Sequence, residues 1–299
     1  MPNPSPAHRA LLATLAATTA IVATACSGAD GPAPTDTPVV VASTDVWAAV
    51  ADAVGGEHAD VEALYSSPDG DPHEYEASSA DTARVQDANV LVLNGGHYDQ
   101  FMETAAADAR GARVVAADVR SDADRGNEHV FYDLQAVAET ARAVARELGE
   151  VAPKHTDYYT DRSDEFVRGI DGLRAQLTGI ADRHRDTRVV STEPLAAALL
   201  SDAGLVDAAP AGFVDAVEEG RSPSAADRAT FEDLLTSHRA AAMIYNTQAV
   251  DPVTREMMAT ARRASVPVVR FSETLPEGVT DYLAWQGGQI RELAEALEK

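Results

Sequence analysis

A proline-free stretch, residues 157–184, constrains the fold of this chain more than any other feature of its sequence. Apolar side chains recur along it at intervals of seven, four, three, four and three residues: Tyr159, Phe166, Ile170, Leu173, Leu177 and Ile180. That spacing predicts a helix with one apolar face. At 1.5 Å per residue the helix would run roughly 40 Å. We expect a helix of this length to connect two halves of the protein.

Three glycines within the stretch leave a second interpretation open. Gly169, Gly172 and Gly179 each destabilise a helix by up to about 1 kcal/mol relative to alanine. Either buried packing keeps one helix straight, or two helices break near residues 169–172.

Short β-branched runs alternate with helical patterns on both sides of this stretch, which is typical of parallel sheets built from strand-helix-strand units. In the first half, strands are predicted at residues 38–43, 61–65, 89–94 and 113–116, and helices at 45–54, 79–87 and 98–107. In the second half, strands are predicted at 188–191, 241–245 and 266–271, and helices at 194–201, 224–237, 251–264 and 282–296.

The predicted fold class is therefore α/β, with two lobes that each contain a parallel sheet flanked by helices. The predicted boundaries are an N-terminal lobe at residues 39–155, one long connecting helix at 156–185 and a C-terminal lobe at 186–299.

The first 25 residues have the pattern of an export signal. His8 and Arg9 precede an uncharged apolar stretch, residues 10–25, which is too short to span a bilayer comfortably. Cys26 follows small residues, as in a bacterial lipoprotein cleavage box, so we expect a lipidated Cys26 at the start of the mature chain. Residues 26–38 have the composition of a flexible tether. The protein would then act outside the cytoplasm, held at the cell membrane through a lipid anchor only.

The alternative is an ordinary cleaved signal in which the cysteine is incidental. Cys26 is the only cysteine in the chain, so it has no partner for an intramolecular disulfide. Lipidation gives this single thiol a role that disulfide formation does not.

Net charge excludes one class of partner. The whole chain carries −24, and removing residues 1–25, which contain Arg9 and no acidic residue, makes the charge −25. A polyanion would be repelled, and the sequence has no basic stripe to release its counterions. Nucleic acid is therefore not an expected partner. A diffuse acidic surface attracts cations everywhere, so net charge does not by itself indicate a metal site.

One histidine lies in a restricted loop among carboxylates, in the sequence Asp71-Pro72-His73-Glu74-Tyr75-Glu76. Pro72 fixes its own φ and pushes Asp71 out of the α region, so His73 is expected on a stiff loop. An imidazole held in this way is partly organised as a metal ligand. The alternative is that His73 is a solvated loop residue.

Three further candidate ligands follow other predicted strands. Ligands of open parallel sheets collect beyond the carboxyl ends of the strands, and His129, Glu193 and Glu273 lie in such loops, as His73 does. Each lobe contributes two of the four side chains. Two neutral imidazoles and two carboxylates would neutralise a divalent ion, which lowers the cost of burying it between the lobes.

Several motifs in these loops resemble one known family. They are the segment around His73, the turn Asn94-Gly95-Gly96 with Tyr98 after it, the segment Asn127-Glu128-His129-Val130-Phe131-Tyr132-Asp133, and Ser191-Thr192-Glu193 at a strand end. The chain resembles the periplasmic or lipoprotein metal-binding receptors of zinc and manganese ABC importers, the ZnuA/TroA-like family. The resemblance spans essentially all of the mature chain and includes the long helix between lobes.

The resemblance implies a function as well as a fold. Such receptors are not enzymes; they capture a transition metal outside the cell and deliver it to a membrane permease powered by a cytoplasmic ATPase. By position, His73 and His129 match the two N-lobe histidine ligands, and Glu193 matches a ligand that is a carboxylate in manganese-type members and often histidine in zinc-type ones. Glu273 falls where the family commonly has aspartate. A monomer is expected.

The chain also departs from the family pattern. The histidine-rich loop that many zinc-type relatives carry before the second histidine is missing from residues 118–126, and Glu128 and Phe131 replace a proline and a tryptophan. The mixed ligand set suits Mn²⁺ by ligand type, whereas Zn²⁺ has the higher intrinsic affinity for such a site. The transported ion is therefore expected to be Mn²⁺ or Zn²⁺.

Other assignments remain alternatives at this point. His97, also at a strand end, is a candidate to replace or supplement a ligand, and Glu74 and Glu76 are candidates to orient His73. The segment Tyr245-Asn246-Thr247-Gln248 is either a hydrogen-bond partner of a ligand such as Glu193 or an ordinary turn. A metal-dependent hydrolase, a receptor for an organic solute and a surface adhesin on the same scaffold are the competing functions. The sequence has no pair of histidines one helical turn apart with a glutamate base, which disfavours the hydrolase.

Overall fold

The N-terminal lobe is built on a four-stranded parallel sheet. The structure, a computed structural model, describes residues 34–120 and 126–299. Strands β1 (Val39–Thr44), β2 (Asp60–Tyr65), β3 (Val90–Leu93) and β4 (Ala112–Val115) lie in the order β2-β1-β3-β4. Val40 of β1 pairs with Val61 on one side and Val90 on the other. The apolar runs are continuous because a parallel sheet is covered on both faces.

Four helices belong to this lobe: α1 (Asp45–Gly55), α2 (Ser79–Asp87), α3 (Gln100–Ala105) and α4 (Leu134–Val151). Helix α2 begins with a capping box, in which Ser78 accepts from the backbone of Asp81 and the Asp81 side chain accepts from the backbone of Ser78. Such a cap satisfies two backbone donors that the first turn leaves without partners.

The C-terminal lobe repeats the arrangement. Strands β5 (Arg188–Ser191), β6 (Val206–Asp207), β7 (Met243–Asn246) and β8 (Val268–Phe271) are parallel and lie in the order β6-β5-β7-β8. The helices of this lobe are α6 (Ala197–Asp202), α7 (Ala211–Glu218), α8 (Ala225–Thr236), α9 (Pro252–Arg263) and α10 (Tyr282–Leu297). In each lobe the carboxyl ends of the parallel strands lie at one edge of the sheet. The candidate ligands lie in the loops that follow these ends.

One helix, α5 (Thr156–His184), connects the two lobes. The six apolar residues that predicted it are all buried, and the helix is continuous through residues 169–172, so the interpretation as two broken helices is wrong. Helix α5 packs against α1 and α4 of the N-terminal lobe and against α10 of the C-terminal lobe. Contacts accordingly unite the described residues, 34–120 and 126–299, in one compact unit.

The predicted strands lie within two residues of the observed ones, but two α-helices and one strand of the described residues were not predicted. They are α4, α7 and the two-residue strand β6. Helix α4 packs in a core with α1 and α5, and its sequence is strongly amphipathic, so its apolar spacing could have predicted it.

The predicted signal, residues 1–25, and Cys26 lie outside the described residues, as does most of the predicted tether. Within residues 34–120 and 126–299, no helix combines the length and the apolar character that a bilayer crossing requires.

Two glycines of α5 provide a matched test of the continuous helix. A Cβ at Gly172 would meet no atom of the described residues within 4 Å, whereas a Cβ at Gly169 would clash with Leu283 of α10. We expect Gly172→Ala to raise the free energy of unfolding by about 0.5–1 kcal/mol, because alanine loses less backbone entropy in a helix. Gly169→Ala should raise the free energy of unfolding by less, or lower it, because the new Cβ would clash with Leu283. Urea unfolding of both variants measures the difference, and a lower stability for Gly172→Ala than for Gly169→Ala would contradict this packing.

Candidate metal centre

Four loops that follow strands carry the predicted ligands to the interface between the lobes. His73 follows β2, His129 lies beyond β4, Glu193 comes directly after β5, and Glu273 is two residues past β8. Parallel strands gather these loops at one edge of each sheet.

His73 lies in a single 3₁₀ turn, Pro72–Glu74. Asp71 before it is extended, with φ −83° and ψ 121°, as the following proline predicts. The Asp71 carboxylate accepts a hydrogen bond from the His73 backbone N–H at 2.8 Å. The imidazole is 29% exposed and opens on a cavity of about 580 Å³ that His97 and Tyr98 also line. The loop therefore fixes the backbone of His73 and leaves its ring accessible.

His129 is buried, with a side chain only 1% exposed. Asn127 Oδ1 accepts from the His129 backbone at 2.8 Å and lies 3.2 Å from Nδ1, so the neutral ring carries its proton on Nδ1 and leaves Nε2 free. The Asn127 amide donates to the Pro194 carbonyl of the other lobe at 2.8 Å. Asn94, just past β3, donates to the Glu128 carbonyl at 2.7 Å. The histidine loop is thereby tied to both lobes.

A single amide holds the two predicted carboxylates side by side. Asn246 ends β7, which lies between β5 and β8, and it is fully buried. Its Nδ2 donates to Glu193 Oε1 and, at 2.7 Å, to Glu273 Oε1. The interpretation of Asn246 as a partner of Glu193 is therefore confirmed, and the ordinary-turn alternative is wrong.

Tyr98 completes the surroundings of Glu273 from the opposite lobe. Its hydroxyl donates to Glu273 Oε2 at 3.0 Å, and its ring lies 4.7 Å from the His73 ring and 5.8 Å from the His129 ring, centroid to centroid. The aromatic ring packs against both imidazoles while the hydroxyl orients the carboxylate.

Three of the predicted ligands form one group of converging atoms. Glu273 Oε2 lies 3.5 Å from His73 Nε2 and 3.7 Å from His129 Nε2, and one ligand atom from each residue lies within 4.8 Å of the other two. We call His73, His129 and Glu273 the first ligand group. One ion placed among them would draw on both lobes.

Glu193 belongs to a second ligand group, with His129 and Glu218, whose ligand atoms also lie within 4.8 Å of one another. Glu218 Oε1 is 3.8 Å from His129 Nδ1. Sequence reasoning missed Glu218 because α7, the helix that it ends, was not predicted. His129 is common to both groups, and Asn246 links Glu193 of the second group to Glu273 of the first.

The protonation states follow from burial and proximity. Burial lowers the pKa of His73, but the hydrogen bond and charge of Glu273 outweigh it and raise that pKa to about 9. Burial lowers the pKa of His129 to about 4, against the opposing charge of Glu273. Burial raises the pKa of Glu273, yet the bond from His73 and the nearby histidines hold it at about 2. One charged histidine thus pairs with one carboxylate, and the second histidine is neutral.

The other two carboxyl groups, those of Glu193 and Glu218, have raised pKa values. Burial, and then the charges of Glu273 and Glu218, raise the pKa of Glu193 well above its ordinary value. Burial and a hydrogen bond with Glu128 raise the pKa of Glu218 to about 8. Both groups resist ionisation, first because they are buried and second because their neighbours are acidic, and a cation would relieve the repulsion between the carboxylates.

Three other predicted candidates lie outside these groups. His97, Glu74 and Glu76 are exposed, and His97, with φ 79°, belongs to neither ligand group that the described residues form. Its ring contacts the Gln100 side chain at 3.5 Å.

Gln248 ties the loop that leads to His73 to the loop that carries Glu273. Its amide nitrogen donates to the Gly70 carbonyl at 2.7 Å and to the Thr274 hydroxyl at 2.9 Å. Its oxygen accepts from the Glu273 backbone at 2.6 Å. The ligands of the first group are therefore positioned by bonds that cross the lobe interface.

Comparison with known proteins agrees with this architecture. The family model described as "Zinc-uptake complex component A periplasmic" (ZnuA) matches residues 40–296. The manganese-binding lipoprotein MntA of Bacillus subtilis (strain 168) is 24% identical over 160 residues, which are 49% of this chain and 52% of that protein. The matched segment spans about half the length of this relative.

Two solved structures show the same fold. The laminin binding protein Lmb of Streptococcus agalactiae aligns with a TM-score of 0.72 at 20% identity, over 87% of this chain and 99% of that one. The protein FpvC from Pseudomonas aeruginosa, solved in complex with Mn²⁺, aligns with a TM-score of 0.70 at 20% identity, over 87% and 98%. At these identities the likeness concerns the fold alone.

The family match extends from the first strand of the N-terminal lobe to the last helix of the C-terminal lobe. The chain therefore belongs to the ZnuA family, that of the periplasmic component A of zinc-uptake complexes.

Proposed function

We propose that this protein captures a divalent transition-metal ion outside the cytoplasm and delivers it to the permease of an ABC importer. The observation that carries the proposal is the convergence of two imidazoles from one lobe with carboxylates from the other, with ligand atoms of each group within 4.8 Å of one another. Family membership supports it, because the matched family takes its description from zinc uptake.

We propose His73, His129, Glu193 and Glu273 as the ligands. Two carboxylates and two neutral imidazoles balance the charge of a divalent ion, so the buried complex has no net charge to desolvate. The Asn246 amide supports the set because it keeps Glu193 beside Glu273. Glu273 stands where aspartate is common in the family, and its bonds from Tyr98 and Asn246 indicate how the longer side chain is directed to the ion.

Mn²⁺ is the proposed cargo, with Zn²⁺ as the alternative. Carboxylate-rich sites suit Mn²⁺, although Zn²⁺ binds more tightly to most mixed sites. The relative MntA is named a manganese-binding lipoprotein, which supports the same choice. Selectivity would then depend on geometry and metal supply.

The remaining proposals concern location and partners. The chain would be anchored through a lipidated Cys26, act as a monomer, and serve a permease and its ATPase, with no catalytic activity of its own. Four ligands would close the coordination sphere, whereas a catalytic zinc needs an open position. The long helix α5 and the bonds of Gln248 would restrict lobe movement on metal binding to a modest shift.

Replacing His73 tests the ligand set against a neighbouring histidine. We expect His73→Ala to weaken Mn²⁺ and Zn²⁺ binding by at least about 100-fold, since it removes a ligand and not merely a supporting group. His97→Ala, which changes a histidine lining the same cavity, should bind as the unaltered protein does. Isothermal titration measures both affinities. Equal affinities in the two variants would remove His73 from the site.

Changing one carboxylate to imidazole should alter metal preference. We expect Glu193→His to lower the ratio of Mn²⁺ affinity to Zn²⁺ affinity, because imidazole suits Zn²⁺ and carboxylate suits Mn²⁺. Competition titration with the two metals gives the ratio directly. Glu76→His, which places a histidine at an exposed position outside both ligand groups, is the control. An unaltered ratio in Glu193→His would refute the role of Glu193.

Metal binding should release protons and strengthen as pH rises. His73, with a pKa of about 9, is charged at about pH 7, and an ion binds only the neutral imidazole. The raised pKa of Glu193 adds a second competing proton. Apparent affinity should therefore increase between about pH 6 and about pH 8. Calorimetry in buffers of different ionisation enthalpy counts the released protons, and a count of zero would contradict these protonation states.

A further inference from the structure

The two ligand groups share the imidazole of His129, and a different nitrogen of its ring lies near one carboxylate of each group. His129 Nε2 lies 3.7 Å from Glu273 of the first group, and Nδ1 lies 3.8 Å from Glu218 of the second. Glu193, the third member of the second group, is buried with 2% of its surface exposed. The second group is thus one imidazole and two carboxylates, of which Glu218 lies beside Nδ1.

A neutral imidazole ligates through one nitrogen only, because the other carries its proton. An ion in the first group takes Nε2 and leaves the proton on Nδ1, facing Asn127 Oδ1 at 3.2 Å. An ion in the second group takes Nδ1 and leaves the proton on Nε2, facing Glu273 Oε2. The ring carries one proton in both states, so a move of the ion from Nε2 to Nδ1 releases the Nδ1 proton to water and returns one from water to Nε2, with no net change in protons. The two positions are therefore mutually exclusive, and a single ion would occupy one or the other.

Glu218 is placed where the local structure does not favour an anion. It is the last residue of α7, and the carbonyl end of a helix carries partial negative charge that disfavours carboxylates. Its side chain is nevertheless only 18% exposed and turned toward His129, whereas the next residue, Glu219, is exposed and pairs with Arg221. A cation beside His129 would compensate the unfavourable placement of Glu218.

Access to solvent differs within the second group. His129 and Glu193 are buried, so Glu218 is the member through which the group reaches the surface. An ion that exchanged Glu273 and Nε2 for Glu218 and Nδ1 would move toward solvent without losing all its ligands at once. Glu193, already beside Glu273 through Asn246, would be available in both positions.

We propose that Glu218, His129 Nδ1 and Glu193 form a transfer position for a divalent transition-metal ion, occupied during uptake and release and alternating with the position at His73, His129 Nε2 and Glu273. This rests on the proposed function, since it assumes that the first ligand group binds the ion. Glu218 would speed exchange in both directions and contribute little to the resting affinity.

The test is the rate of Zn²⁺ exchange in three variants. Protein loaded with Zn²⁺ is mixed in a stopped-flow instrument with excess chromophoric chelator, and uptake of Zn²⁺ by the metal-free protein is followed separately. Glu218→Gln removes the ionisable carboxyl group, and with it the anionic ligand that a cation would bind, with almost no change of shape. Glu218→Asp keeps the charge and shortens its reach. Glu219→Gln, at the adjacent exposed position, is the matched control.

We expect Glu218→Gln to release and take up Zn²⁺ about tenfold more slowly, which corresponds to about 1.4 kcal/mol in each barrier. Because both rates fall together, the equilibrium affinity should stay within about threefold of the unaltered protein. Glu218→Asp should also be slowed, and Glu219→Gln should not. Far-UV circular dichroism and the melting temperature confirm that the variants are folded.

Several results would overturn the transfer position. Unaltered rates in Glu218→Gln would show that exchange does not pass this carboxylate. Faster release with weaker affinity would make Glu218 a ligand of the resting site. Unaltered rates in Glu218→Asp, with the effect of glutamine disappearing at high salt, would reduce Glu218 to electrostatic steering. Absence of Zn²⁺ and Mn²⁺ binding by the unaltered protein would instead refute the proposed function.

Discussion

The candidate site depends on two hydrogen bonds that the side-chain amide of Asn246 donates. Two carboxylates held side by side repel each other, and burial increases the repulsion because little solvent screens it. The amide gives each of them one hydrogen bond from the same nitrogen. This fixes the spacing of Glu193 and Glu273, and charged His73 compensates Glu273 in the metal-free protein. A proton on Glu193 reduces the repulsion in the metal-free protein, and a divalent ion removes it. Preorganisation by Asn246 and the need for a cation are thus two consequences of one arrangement.

The N-terminal lobe uses the same position in its sheet for a different purpose. Strands β3 and β7 are equivalent in the orders β2-β1-β3-β4 and β6-β5-β7-β8, and an asparagine stands at or just past the carboxyl end of each. Asn94 accepts from the indole of Trp47 at 3.1 Å and donates to the carbonyl of Glu128. It therefore positions the loop that leads to His129, where Asn246 positions carboxylates directly. One lobe supplies a neutral ligand on a fixed loop, and the other supplies fixed charge.

Most of the fold was predictable because its signals are local. The apolar spacing on α5 and the β-branched runs indicate buried residues from neighbouring sequence alone. Pro72 restricts the backbone of Asp71 independently of the tertiary structure. The position of the four proposed ligands after strand ends was predictable, because parallel topology gathers these loops at one edge of each sheet. Their division into two groups was not, since it depends on which nitrogen of His129 faces which carboxylate. Glu218 carried no local signal: α7 is short, and nothing in its sequence indicates that its last residue turns inward.

The bonds between the lobes determine which parts of the site can move at low cost. The Tyr132 hydroxyl donates to the Ser272 carbonyl, and the Tyr282 hydroxyl donates to the Phe131 carbonyl, both at 2.7 Å and both with buried rings. Separating the lobes would exchange these hydrogen bonds for bonds to water, at a cost of about 0.5–1.5 kcal/mol each, and would also bend or displace α5. His73 and Glu218 lie at the two ends of the site and already reach solvent. Moving these side chains breaks none of the bonds between the lobes described above. Ligand exchange at these two ends is therefore the less costly route for an ion to enter or leave.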